Sequence, residues 1–104
     1  MKLKIGPLDY QVRYRTAYED PDSYGQCHKE DETITLRADV SAGRQLDTLI
    51  HEVLHACYDA YTRSGCLDEE AVCSFVGSAL AAVIRDNPEF LAALTKGAKG
   101  RPVL

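Results

Sequence analysis

Residues 51–55 read His-Glu-Val-Leu-His. Two histidines four positions apart stand one turn above each other on a helix, so their imidazoles can converge on a single ion. Glu52 projects to the side, where its carboxylate can accept a proton from a metal-activated water rather than bind the metal. Zinc suits two imidazoles, and its catalytic sites take three protein ligands and keep one position open. The chain has three histidines and none follows His55. The third ligand is therefore sought in Glu69 or Glu70, with Cys66 and His28 as lesser candidates.

These residues need a helix to hold them, and the sequence supplies one. From Leu46 the apolar positions are 46, 49, 50, 53, 54, 57, 58 and 61, a continuous helical stripe. At 100° per residue His51 points about 110° and His55 about 150° from the centre of that stripe, away from the core face. Cys57 lies in the stripe and reads as core. Ser41 is the predicted N-cap, and Gly65 ends the helix. Asp68 caps a second helix, with apolar residues at 72, 75, 76, 79, 80, 83 and 84. Asn87-Pro88 closes it, and Pro88 suits the first turn of a short third helix over 88–95.

The first third of the chain reads as β. Lys2–Ile5, Tyr10–Tyr14 and Glu32–Arg37 alternate polar and apolar residues. Gly25 and Cys27 mark a short fourth strand that pairs with Glu32–Arg37 through the turn Lys29-Glu30-Asp31. Glu19–Tyr24 is a polar loop. The expected fold is α+β, a small and mostly antiparallel sheet of three or four strands packed on two long helices plus a short C-terminal helix. Residues 1–96 form one domain. Residues 97–104, with Gly97, Gly100 and Pro102, read as a flexible C-terminal tail.

Composition bounds the partners. The 104 residues suit a single domain, and 12 Lys and Arg against 16 Asp and Glu leave a net charge of −4. That balance disfavours nucleic acid as a partner. No stretch approaches the roughly 18 apolar residues of a membrane span. The N-terminus lacks the apolar centre of a signal peptide, so a soluble cytoplasmic protein is expected. Cys27, Cys57, Cys66 and Cys73 include no C-x-x-C pair and are read as reduced side chains.

The motif His51-Glu52-x-x-His55, followed on the next helix by Glu70-Ala71-Val72-Cys73-Ser74, resembles the gluzincin metallopeptidases. Their second helix carries a Glu ligand, a small residue three positions on and usually Asp or Asn four positions on. The stretch Ile34–Val83 is similar to the compact zincin-like domains of bacterial and phage genomes, the ImmA/IrrE-like kind among them. The resemblance implies a zincin-like fold and a zinc cofactor held by His51, His55 and Glu70, with Glu52 as general base. It makes Cys73 the small residue that lets the helices approach, and it puts Ser74 where a histidine-supporting Asp or Asn usually stands. Helical phase also favours Glu70, about 140° from its stripe, over Glu69, about 40° from it. The expected function is a zinc-dependent metallopeptidase acting on a protein or peptide substrate. Tyr24, Tyr58, Tyr61, Arg63 and His28 are candidates by chemistry for stabilising the oxyanion. The alternative is a non-proteolytic zincin-like metal-binding protein that acts through a regulatory protein partner.

Overall fold

The Gly6-Pro7 turn sets the first hairpin. Gly6 has φ 58° at the first central position of a two-residue turn, where the hairpin twist demands a positive φ. It joins β1 (Lys2–Ile5) to β2 (Leu8–Arg15), with Ile5 opposite Leu8 and Leu3 opposite Tyr10. In a computed structural model of the chain, residues 1–16, 19–61 and 68–104 are described. Two further strands, β3 (Gly25–His28) and β4 (Thr33–Arg37), complete a sheet of order β1-β2-β4-β3. The sheet is mixed: β1–β2 and β3–β4 are antiparallel, whereas β2 and β4 run parallel, from Gln11 beside Thr33 to Arg15 beside Arg37. The parallel pair arises because the chain leaves β2, returns along the edge as β3 and then re-enters between them as β4.

Alternation puts Leu3, Ile5, Tyr10, Val12, Ile34 and Leu36 on one face of the sheet, all fully buried or nearly so. Against them pack Leu49, Val53, Ala56 and Cys57 of α1 (Ala42–Tyr61), Ala79 and Val83 of α2 (Glu69–Asp86), and Phe90 and Ala93 of α3 (Pro88–Ala98). The fold is α+β, with the sheet and helices in separate layers. Both expected caps form. The Arg44 N–H donates to Ser41 Oγ at 3.2 Å, and the Ala71 N–H donates to Asp68 Oδ1 at 2.8 Å. Among the described residues, no helix is long and apolar enough to cross a membrane.

Asn87 does more than end α2. It is buried, accepts from the Lys4 N–H at 2.7 Å, and donates to the carbonyls of Lys4 and Val83 at 2.8 and 2.9 Å. Its side chain thus clamps β1 to the α2–α3 corner. Asn87→Ala leaves those groups without partners and is expected to cost about 2–4 kcal/mol of unfolding free energy in urea titration. A loss below about 0.5 kcal/mol would show that the clamp is dispensable.

The C-terminal segment departs from expectation. Residues 97–104 are not a loose tail. Gly97 and Ala98 belong to α3, and Val103 is 1% exposed within the core. The Val103 N–H donates to Gln45 Oε1 at 3.2 Å, and the Leu104 N–H donates to the Tyr14 hydroxyl at 3.2 Å. That hydroxyl in turn donates to Gln45 Oε1 at 2.8 Å. Glycine and proline mark where the helix ends, but the apolar Val103 beyond them finds a site next to α1.

Candidate metal centre

The stripe of α1 that faces the sheet fixes where the motif points. With Leu49, Val53 and Cys57 buried, His51 and His55 emerge on an exposed side of the helix. Their Nε2 atoms lie 3.2 Å apart, with the rings edge to face. Two donors bound at the usual zinc distance on a tetrahedral ion would stand about 3.3 Å apart. The separation matches that of two ligands on one ion, and it is also a hydrogen-bonding distance between the two rings. Glu52 completes a group of three whose ligand atoms all fall within 4.8 Å of one another and that could hold a metal ion.

Glu52 is unlike the histidines. It is 5% exposed, and its Oε1 lies 3.8 Å from His51 Nε2. It is buried because α1 lies tightly against the edge strand β3 at Gly25. A Cβ on Gly25 would come within 2.5 Å of Thr48 Cγ2, 2.8 Å of the Thr35 carbonyl oxygen and 3.4 Å of Glu52 Cγ. Only glycine permits this approach, so Gly25 positions the carboxylate. Sequence reasoning took it as a strand start; the available signal was a glycine inside a short strand, which marks close backbone approach.

Three hollows meet at the motif. One of about 500 Å³ runs along Gly25–Lys29 to Glu52 and His55. A second of about 320 Å³ lies between Ser23–Gly25 and Asp47, Thr48, His51 and Glu52. The third, about 470 Å³, has walls of Leu54, Tyr58, Phe75 and Val76, with His51, His55 and Lys29 at its margin. The first two follow β3, which is the sheet edge and pairs only with β4 among the described strands. Two thiols lie on the core side. Burial pushes the Cys27 thiol up, and the nearby Glu52 carboxylate adds to the effect. Burial pushes Cys57 up to about 11. Thiols held protonated in this way are poor metal ligands at neutral pH, and Cys57 is core as expected.

The remaining candidates fall in different places. Glu70 and Glu69 are both exposed in the first turn of α2, and neither belongs to the converging group of three. Cys73, expected between the helices, is exposed. Tyr24 lines the same hollow as His51 and Glu52, and the Arg44 and Arg37 guanidinium carbons lie 4.7 and 5.7 Å from its ring centroid. His28 shares a hollow with Glu52 and His55, and Tyr58 lines the apolar one. Tyr61 sits against the Gly6 turn. Cys66, Arg63 and Gly65, the last expected to end the first helix, lie outside the described residues. No protein-family model, no curated protein and no solved structure matches this chain.

Proposed function

We propose that the protein is a zinc-dependent metallopeptidase of the minimal gluzincin kind. The observation that carries this reading is the pair of imidazole nitrogens 3.2 Å apart, with a buried carboxylate beside them. His51 and His55 would hold the ion, with Glu70 as third ligand. When bound, zinc supplies Lewis acidity, which lowers the pKa of water and polarises a carbonyl. Glu52 takes the proton of the attacking water and delivers it to the departing amine. Its burial suits the task, because a carboxylate screened from bulk solvent keeps the proton for the leaving group.

Two features suit a peptide substrate. Among the described strands β3 is the edge strand beside Glu52, and an extended chain can add to such an edge through main-chain hydrogen bonds. The apolar hollow of Leu54, Tyr58, Phe75 and Val76 opens beside the histidines and has room for a large apolar side chain. The test is digestion of a mixed peptide library by the zinc-loaded protein, with new termini read by mass spectrometry. Cleavage next to apolar residues, stopped by a chelator and restored by zinc, is expected. An intact library after incubation with zinc-loaded protein would overturn the peptidase reading and leave a metal-binding protein that works through a partner.

A further inference from the structure

The sheet face turned away from the helices is polar, and Glu19, Asp20 and Ser23 reach over it. Arg13 meets Glu19 at 3.1 Å, Arg15 Nη1 donates to Ser23 Oγ at 3.2 Å, and Gln26 Nε2 donates to Asp20. Beneath this cover is a cavity of about 340 Å³ that both Arg15 and Thr35 line.

Arg15 is 6% exposed, yet its guanidinium is always charged. Its Nε and Nη2 are buried with no hydrogen-bond partner, and no carboxylate lies within 4.0 Å of it among the described residues. The Thr35 hydroxyl is likewise buried and without a partner. Four of the less buried arginines differ: Arg13, Arg37, Arg44 and Arg85 each have a carboxylate partner. Three carboxylates line the same cavity, but none meets the guanidinium, and a buried charge whose donors lack partners is among the most costly arrangements a fold can hold. The two unpartnered donors fit an anionic acceptor.

Nε and Nη2 form one edge of the guanidinium, and their two N–H groups are parallel and spaced to grip two oxygens of one carboxylate. We propose that this cavity binds a small carboxylate, held bidentate by Arg15 and by the Thr35 hydroxyl. Glu19, Asp20 and Asp31 also line the cavity, so a singly charged carboxylate is favoured over a phosphate dianion. The site is on the sheet face opposite α1, with Gln26 and His28 shared between it and the hollow that reaches His55, and it does not depend on the peptidase reading.

The test is NMR of the 15N-labelled full chain. The Arg15 Nε–H resonance, assigned by its loss in Arg15→Lys, is followed during addition of sodium acetate at constant ionic strength. A saturable shift is expected, with acetate affinity about tenfold weaker in the near-isosteric Thr35→Val variant. Core methyl resonances report that each variant is folded, and Thr35→Val carries the test alone if Arg15→Lys is not. A response that fails to saturate, or that chloride reproduces, would overturn the proposal. Tighter binding of inorganic phosphate than of acetate would overturn the assignment of a carboxylate.

Discussion

Glu52→Gln is expected to lower peptide hydrolysis about 10²–10⁴-fold, the usual contribution of a positioned general base. The amide matches the carboxylate in volume and can occupy the same buried position between α1 and Gly25. It cannot accept the proton. Zinc content and thermal midpoint are expected to match wild type, because the proposal gives the ion to His51 and His55 and the amide is easier to bury than a charge. Hydrolysis rates with zinc content measured on the same preparation check both halves. Undiminished hydrolysis in Glu52→Gln would remove Glu52 from the mechanism. Loss of zinc together with activity would make it a ligand, which its 3.8 Å approach to His51 Nε2 also invites as a test.

Glu70→Ala is expected to weaken zinc binding more than the roughly 10–100-fold lost when an outer hydrogen-bond partner of a ligand is removed. Two imidazoles leave a catalytic zinc one protein ligand short. From α2, Phe75 and Val76 share a hollow with His51 and His55. Glu70 lies five residues before Phe75, about 7.5 Å along the helix axis. The ligand role therefore requires the first turn of α2 to close toward α1. Glu69→Ala is expected to leave zinc affinity close to wild type, since its part is to favour the helix N-terminus. Competition with a zinc-binding dye reports both constants. A larger loss in Glu69→Ala would transfer the ligand role to that residue.

The site was legible where the signal was local. His51, Glu52 and His55 lie on one helix whose phase is set by Leu49, Val53 and Cys57, so spacing alone directs the histidines outward. The caps at Ser41 and Asp68 were legible for the same reason: each side chain bonds a backbone N–H three residues on. The parallel alignment of β2 and β4 was not, because alternation reports which face a residue takes and says nothing of its neighbour's direction. Burial of Glu52 follows from a contact between Gly25 and Thr48, residues 23 positions apart in sequence, and no periodicity encodes it. Arg15 shows the same limit. Its place in β2 puts it on the polar face, but its burial comes from Glu19, Asp20 and Ser23, which reach over it. Composition misled at the C-terminus, where a single valine outweighs the glycines and proline around it.

The central claim is that His51 and His55 hold a metal ion. Its most direct test is elemental analysis of the full chain purified without chelators or added metal, beside His55→Ala prepared in the same way. The account predicts one equivalent of zinc in the wild type and its loss in the variant, with both folded by circular dichroism. An absence of metal from both, or equal metal in both, would contradict it.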